Sequence, residues 1–486
     1  MADPLIGSGE RARRYATPLA MVFAGTLLLG GCHVDNRLPD LPRDTPSSWH
    51  SAATAAPAGL QPDLEHWWRA FADPTLDGLV ERALRENLNV KIAGERLRAA
   101  RALHHRSRSE FWPNLNFRVY PETAPGGQTG YIEMGFDSTW ELDLFGRGES
   151  SRRTTRADLD TAAIDEAAAR VSLVAEVVRE YVELRAAQAR VGVLGDVVRT
   201  RQTQAAVTQA RLRSRLGAQN DVDRANADLA QAQADAADGK ATLAQTRQAL
   251  AVLLGTFAQD LAEPALDEAA AQPVLPVIAV RETPADLLRT RPEIRRAEEA
   301  VLRAAGELGI ARADLYPRFS IVGTLISSTA LTGDLDHPNK AIPLIAPSVT
   351  IPIFDWGARR DVVNAREAAL SAAVLAYREA VLEGVAEADT ALALFAAKTQ
   401  ALAGSAIELA SAGKAAGSAA TLRRIGLGDD LDAANATLTL AESRMRQSAA
   451  LRERALSYVG LYKSLGGALP ATRPEGGAQP ASEPAK

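Results

Sequence analysis

The sequence predicts a mainly α-helical chain that also contains two pairs of β-strands, each strand with one apolar and one polar face. Three observations predict this fold class: long proline-free stretches rich in alanine with apolar residues at every seventh position, short segments in which apolar and polar residues alternate, and a recurrence of the whole order about 200 residues further along. A period of two is typical of strands, and the seven-residue step is typical of helices that pack on helices.

The composition excludes several classes of protein. The chain has 486 residues, of which 47% are hydrophobic but only 5% aromatic, and this suits helices packed through small side chains. The net charge of −5 comes from interspersed charges of both signs, so we expect no nucleic-acid surface. The single cysteine, Cys32, excludes an internal disulfide and a cysteine-rich zinc site.

The N-terminus has the pattern of a bacterial lipoprotein signal. Arginines are followed by an apolar run at about 19–29, which is shorter than the roughly 20 residues that cross a bilayer. Leu29-Gly30-Gly31-Cys32 then resembles a lipobox, so residues 1–31 are predicted to be a signal peptide and Cys32 to be acylated. An uncleaved anchor or a chance cysteine is the alternative. His33 follows, and not the aspartate that retains lipoproteins at the inner membrane, which favours the outer membrane.

No catalytic constellation is visible. The chain has no GxSxG, P-loop or HExxH motif. The adjacent His104 and His105 cannot share one helix face as ligands four residues apart would, and we expect them at a solvated helix end. The sequence therefore predicts no enzyme, no metal site and no cofactor besides the covalent lipid on Cys32.

Landmarks divide the chain into two copies of one unit. Residues 32–63 are rich in proline and alanine and read as an extended tether, and residues 467–486 have the composition of a disordered tail. The first unit covers 64–255 and the second 291–466, with a proline-containing connector at 256–290. Trp112-Pro113 matches Tyr316-Pro317 at an offset of 204, and Leu216-Gly217 matches Ile425-Gly426 at 209. Because the two offsets differ by only five residues, the sequence predicts that one unit was duplicated.

Strands are predicted at about 113–121, 130–144, 317–328 and 344–355. In the second of them one face is apolar and the other carries four carboxylates, Glu133, Asp137, Glu141 and Asp143. A water-soluble sheet with one buried face fits this alternation as well as a transmembrane barrel does, and the acylated cysteine favours the barrel. Four strands cannot close a barrel, and an open edge in hydrocarbon is costly, so a barrel requires several chains.

Long helices are predicted at about 151–216, 220–255, 359–425 and 429–466. The apolar seven-residue positions of the first are Val177, Leu184, Val191, Val198, Ala205 and Leu212. Those of the third are Val374, Val381, Ala388, Phe395, Leu402, Leu409 and Ala416. Some 65 helical residues extend on the order of 100 Å. A soluble coiled coil would explain the heptads but not the adjacent strands.

Several motifs together carry a family resemblance. They are Trp67-Trp68-Arg69-Ala70-Phe71-Ala72-Asp73-Pro74-Thr75-Leu76, Phe111-Trp112-Pro113, Glu141-Leu142-Asp143-Leu144-Phe145-Gly146-Arg147 and Ile351-Pro352-Ile353-Phe354-Asp355-Trp356-Gly357. In this order and after a lipobox, they resemble the outer membrane factors, the TolC-like outer membrane efflux proteins, and their NodT-type lipoprotein branch.

The resemblance implies a homotrimer in which each protomer gives four strands to a 12-stranded outer-membrane barrel, continued by a periplasmic α-helical coiled-coil barrel with the connector around its middle. It implies a passive exit duct for drugs or other small molecules, with a periplasmic membrane fusion (adaptor) protein and an inner-membrane RND-type transporter as partners. A duct for type I protein secretion is the alternative, and a non-channel periplasmic coiled-coil adaptor is a third reading.

The resemblance also implies where the functional residues lie. It places an aperture at the periplasmic tips of the helical hairpins, lined by Asp223, Asn226, Asp432 and Asn435. The candidates for adaptor contacts at the tips are Arg215, Leu216, Gly217, Asp221, Arg424, Gly426, Asp429 and Asp430. From local chemistry, we expect Gly217 and Gly426 to end helices with a positive φ, and Asn220 or Asp221 and Asp429 or Asp430 to be N-caps.

Overall fold

The computed structural model describes residues 38–41, 45–51, 64–123, 130–261, 264–267, 270–278, 284–286, 290–330 and 342–467. The predicted signal peptide, Cys32, most of the tether, parts of the connector and residues 468–486 of the tail lie outside these ranges. The chain divides into two compact units. The first consists chiefly of Ala99–Asp160 and Glu298–Ala376, and the second chiefly of Pro42–Arg98, Thr161–Ala297 and Tyr377–Lys486.

Helices account for most of the described chain. After a 3₁₀ turn at Trp67–Phe71 they are α1 (Pro74–Glu86), α2 (Leu88–Ser109), α3 (Arg147–Arg213), α4 (Gln219–Leu253), α5 (Pro292–Ala313), α6 (Ala358–Arg424) and α7 (Asp430–Ser464). Single turns occur in the connector at Ala258–Asp260, Pro264–Asp267 and Pro284–Asp286. Within the described ranges, none of the helices combines the length and apolarity that a bilayer crossing needs.

Corresponding helices have equal lengths. α2 and α5 have 22 residues each, α3 and α6 have 67, and α4 and α7 have 35. α5 begins 204 residues after α2, whereas α6 and α7 begin 211 residues after α3 and α4. The predicted offset of 209 is therefore wrong, and Leu216-Gly217 corresponds to Leu427-Gly428. The extra seven residues lie between the start of the first strand of each pair and the start of the long helix that follows the pair.

The four strands form one antiparallel sheet. They are β1 (Asn114–Thr123), β2 (Gly130–Leu142), β3 (Arg318–Ala330) and β4 (Ile342–Thr350), and their order in the sheet is β1-β2-β3-β4. β4 ends at Thr350 and not at the predicted residue 355. Thr350 lies opposite Arg318, the first residue of β3, so the residues after it have no neighbouring strand in the part of the chain that the structure describes.

The register places most of the large apolar residues of the four strands on one face. That face carries Leu115, Phe117, Val119, Met134, Phe136, Trp140, Leu142, Phe319, Ile321, Leu325, Ile345 and Val349. The opposite face carries the charged and amide groups, Asn114, Asn116, Arg118, Glu133, Asp137, Glu141 and Arg318, and on its β3–β4 side also Val322, Ile326 and Leu344. On it, Arg118 Nε lies 2.8 Å from Asp137 Oδ1. The predicted alternation of faces is confirmed.

Two prolines lie in the edge strand β4. Pro343 is opposite Leu325 and Pro347 is opposite Ile321. Because proline has no N–H, it fits a paired strand where the missing donor would point away from the neighbour. The free edge of β4 therefore offers fewer hydrogen-bond donors than an ordinary strand.

The predicted heptad positions lie on the packed face of the long helices. Every one of them, from Val177 to Leu212 in α3 and from Val374 to Ala416 in α6, is buried or half-buried in the single chain. In the second unit, the turn before α1 packs on α7, where Tyr458 Oη donates to the Trp67 carbonyl over 2.8 Å and Trp67 stacks on Tyr462.

Buried arginines hold the connector against the helices. Arg454 of α7 donates to the carbonyls of Leu275 and Pro276 over 2.7 and 2.6 Å. Arg185 of α3 donates to the carbonyl of Ala265 over 2.8 Å. These charge-assisted bonds fix connector segments that have little regular structure of their own.

His104 is not at a solvated position as predicted. It is only 8% exposed, and its Nδ1 lies 3.2 Å from Thr155 Oγ1. Burial is the main reason that its pKa is lowered, with the charge of Arg108 the next. The neutral imidazole is favoured, and the residue serves packing between α2 and α3.

Candidate functional site

The turn between α3 and α4 is built around Arg215. α3 ends at Arg213, the Arg215 N–H donates to the Leu212 carbonyl over 3.0 Å, and the Leu216 N–H donates to the Arg211 carbonyl over 2.8 Å. This is a Schellman motif, which places one residue in the left-handed region. That residue is Arg215, with φ of 55°, so the prediction that Gly217 has the positive φ is wrong.

The turn between α6 and α7 has the same hydrogen bonds with a glycine at the critical position. Gly426 has φ of 78°, as expected from the sequence, and its N–H donates to the Arg423 carbonyl. The Leu427 N–H donates to the Leu422 carbonyl over 2.9 Å. Gly426 and Arg215 are thus equivalent positions, and only the second turn is free of left-handed strain.

The two returning helices are capped differently. Asp429 is the N-cap of α7, and its Oδ1 accepts the Leu431 N–H over 3.0 Å. The N-cap of α4 is Ala218, so the prediction of Asn220 or Asp221 is wrong. Asp221 lies three residues inside the cap, where its carboxylate accepts the Ala218 N–H over 3.1 Å. From there it still satisfies an unpaired donor and complements the helix dipole.

An ion pair joins the two helical hairpins near these turns. Arg211 Nη2, in the last turn of α3, lies 2.5 Å from both carboxylate oxygens of Asp429. The Arg211 hydrogen bond, followed by the Leu431 N–H, lowers the pKa of Asp429, and the same bond raises the pKa of Arg211. The sequence did not single out Arg211, which lies among other arginines in the same turn.

The remaining charged residues of the tips are largely exposed. Arg423 pairs with Asp430 within the second turn. Arg215 and Arg424 are exposed in the single chain. Exposed ion pairs contribute little to stability, so the tips are held by their backbone turns more than by these charges.

The four aperture candidates lie in the first turns of α4 and α7. Asp223, Asn226, Asp432 and Asn435 are all exposed in the single chain. Asp223 accepts a hydrogen bond from Gln219 over 2.8 Å, and Asn435 Oδ1 accepts one from Gln204 of α3, also over 2.8 Å. Asp432 contributes to the field that raises the pKa of Arg211. Gln204 is buried, so it holds the side chain of Asn435 against α3.

No metal centre is found in the described part of the chain, where no three histidine, cysteine or acidic side chains converge in a way that could hold an ion. The described tips combine arginines, carboxylates and amides with exposed apolar side chains, of which Leu216 is 80% and Leu427 76% exposed. Such a surface can attract or repel charged solutes, and it can dock a partner through both polar and apolar contacts.

Comparison with known proteins gives a consistent family. The model of the outer membrane efflux protein family matches residues 79–256 and 283–467. The chain is 26% identical to nodulation protein T of Rhizobium leguminosarum bv. viciae over 383 residues, 78% of each chain. It is 29% identical to outer membrane protein OprJ of Pseudomonas aeruginosa over 381 residues, 76% of this chain and 78% of that protein.

Solved structures show the same fold. The outer-membrane channel OprN, 28% identical in sequence, superposes with a TM-score of 0.76 and covers 89% of this chain and 99% of its own. The open state of the MtrE outer membrane channel of Neisseria gonorrhoeae, 24% identical, has a TM-score of 0.74 and covers 89% of this chain and 98% of its own.

Proposed function

Because this chain belongs to the outer membrane efflux protein family, we propose that three copies of it form a passive exit duct for small molecules. The chain resides in the outer membrane and extends into the periplasm, as its relatives do. Specificity in such a duct rests mainly with the pump that feeds it, because a wide aqueous tunnel makes few selective contacts.

The open four-stranded sheet carries this proposal. One face is mostly apolar and the other carries all the charged side chains named above, which suits a sheet with lipid on one side and water on the other. β1 and β4 are both edges, and they run in opposite directions because the sheet is antiparallel throughout. The β4 edge of one copy can therefore pair antiparallel with the β1 edge of the next. Three copies, the number implied by the resemblance to TolC-like ducts, give a closed 12-stranded barrel.

The long helices supply the periplasmic part of the duct. The equal lengths of α3 and α6 and of α4 and α7, together with the two segments matched by the family model, support duplication of one unit. In a trimer these helices would form a coiled-coil tunnel that ends at the hairpin turns. The turns are the surface we assign to a periplasmic adaptor, which would connect the duct to an inner-membrane RND-type transporter.

The aperture is the proposed role of the first turns of α4 and α7. Asp223 and Asp432, each present three times, would give the opening a negative charge, whereas Asn226 and Asn435 would line it without charge. Gln204 would restrain Asn435 against the tunnel wall. A covalent lipid on Cys32 would be a second anchor beside the barrel, and no other bound group is needed for conduction.

Reconstitution tests the duct directly. The purified full-length chain should be a trimer by native mass spectrometry and should conduct ions in planar bilayers, and deletion of the gene should sensitise cells to several unrelated compounds. A monomer without conductance, or normal resistance in the deletion strain, would contradict the proposal.

The role of Asp432 in the aperture is tested by comparing two substitutions. Asp432→Asn should change single-channel conductance and cation preference, because the charge is removed from the narrowest point. Asp238→Asn is the matched control, since Asp238 is an exposed carboxylate much further along α4. Equal effects of both substitutions would mean that Asp432 does not line the aperture.

A further inference from the structure

Two tryptophans lie exposed at opposite edges of the sheet. Trp112 lies two residues before β1 and is 71% exposed, and Trp356 lies six residues after β4 and is 89% exposed. Tryptophans exposed at the edges of a sheet are unusual, because a large apolar ring in water is unfavourable. They often mark contact surfaces.

A pair of stacked aromatic rings within the chain shows how aromatic residues at these positions can pack. Where β2 ends and β3 begins, Phe145 stacks on Tyr316, with ring centroids 4.9 Å apart and planes at 18°. Phe145 precedes α3, and Tyr316 precedes β3. The stack thus joins the two strand pairs at the end of the sheet where the long helices start. We call the junction between neighbouring strand pairs the seam.

The two tryptophans occupy the same positions in the other halves of the repeat. Adding the offset of 204 to Trp112 gives Tyr316, and adding the offset of 211 to Phe145 gives Trp356. Each edge of the sheet therefore carries one half of the Phe145–Tyr316 arrangement, with tryptophan in both places.

The strand register can be transferred in the same way. Leu142 of β2 lies opposite Phe319 of β3, and the offsets carry this pair to Ile353 of one copy and Leu115 of the next. This register also sets Val349 opposite Val119 of the neighbouring copy. Both valines lie on the apolar face, so the transferred register keeps the faces matched, whereas a shift by one residue would oppose apolar and polar side chains.

From this equivalence we infer that Trp356 of one copy stacks on Trp112 of the next and closes the seam between protomers. This inference rests on the proposed oligomeric barrel and deepens it by naming the contact. The side chains matter more at this seam than within the chain, because Pro343 and Pro347 withhold backbone donors from the β4 edge. Trp356 now contacts only its neighbour Phe354 among the rings of the described chain, with centroids 4.8 Å apart.

Cysteine cross-linking tests the contact in the full-length protein. The double variant Trp112→Cys/Trp356→Cys, treated in membranes with a short bis-maleimide, should give covalent dimers and trimers on a denaturing gel. The single variants Trp112→Cys and Trp356→Cys should give none, which also controls for Cys32. Trp140→Cys/Trp356→Cys is the matched control, because Trp140 lies on the same face in the interior strand β2.

Heat stability of the oligomer supplies the second readout. Trp356→Ala should lower the temperature at which the detergent-purified oligomer dissociates, and Trp356→Phe should restore most of the loss because phenylalanine can still stack. A wild-type trimer whose double variant assembles but does not cross-link, or cross-links no better than the Trp140 control, would overturn the inference and leave the duct intact. A wild-type chain that is not oligomeric would instead remove the proposed function itself.

Discussion

Gly466→Ala is expected to destabilise the second unit strongly. Gly466 follows α7 with φ of 84° and packs directly on the backbone before α5. A Cβ there would lie 2.4 Å from the Thr290 carbonyl oxygen and 2.9 Å from the Arg291 nitrogen. These are backbone atoms, so no side chain can swing away to make room.

The magnitude follows from two separate costs. An alanine in the left-handed region costs about 1–2 kcal/mol. Forcing a methyl group into a well-packed contact adds about 1–3 kcal/mol, because the helix end must move away from the segment before α5. We therefore expect a loss of about 2–5 kcal/mol per protomer.

Gly426→Ala is the matched control. Gly426 occupies the equivalent place after α6, with φ of 78°, but a Cβ there would meet no atom within 4 Å. It should lose only the left-handed term of about 1–2 kcal/mol. Denaturant unfolding of both variants in detergent measures the difference. Equal losses would refute the reasoning, because they would show that the contact with Thr290 and Arg291 does not constrain the fold.

Four further predictions concern the tips, the helical core and the lipid. Arg215→Gly should stabilise the first hairpin by about 1 kcal/mol in the same unfolding assay, because it removes a left-handed non-glycine residue; no change or a loss would mean that the turn relies on the arginine side chain. Arg211 lowers the pKa of Asp429, so the stabilisation from this ion pair is present above the ordinary value of 3.8 and is lost as pH falls below it. Asp429→Asn should remove this acid dependence from the protection of the tips against hydrogen exchange. An unchanged dependence in the variant would mean that the ion pair is not its cause. Burial raises the pKa of Tyr181 from 10.0 to about 12, so the contribution of its neutral form to the free energy of unfolding should be fully present below pH 10 and fall as pH rises towards 12. Tyr181→Phe should flatten that part of the stability profile. A wild-type profile that is already flat there would contradict this prediction. Cys32→Ala, exported with a non-lipoprotein signal peptide, should lose acylation by mass spectrometry yet remain a membrane-embedded trimer, and a soluble monomer would contradict the barrel.

The faces of the sheet could be predicted because each depends on local alternation alone. Met134 and Phe136 alternate with Glu133 and Asp137 along one strand, and a period of two needs no knowledge of the neighbouring strands. The packed faces of α3 and α6 follow in the same way from the seven-residue step. The end of β4 did not, because it depends on where β3 begins, which is a property of the partner strand.

The details of the tips depend on geometry that a single sequence does not reveal. Gly217 and Gly426 both follow an apolar residue at the end of a long helix, so local pattern treats them as equivalent. The hydrogen bonds place the left-handed residue two positions earlier in the first turn, at Arg215. Arginine is an unfavourable choice there, and propensity alone would not select it.

The side-chain contacts that link the two helical hairpins could not be predicted from the sequence either. Arg211 meets Asp429 across 218 positions of the chain, and Gln204 meets Asn435 across 231. Such pairs become visible only when the relative placement of α3 and α7 is known. Charge and amide patterns mark the residues as polar without indicating their partners.

The two prolines of β4 have a consequence for the export of the chain. If the chain forms the proposed barrel, each newly exported protomer has unpaired strand edges until it meets its neighbours, and such edges can recruit unrelated strands into aggregates. Pro343 and Pro347 leave that edge poor in donors, so indiscriminate backbone pairing with a foreign strand gains little. Side chains would then decide which strand pairs with this edge, and they would favour the neighbouring copy of the proposed barrel over a foreign strand.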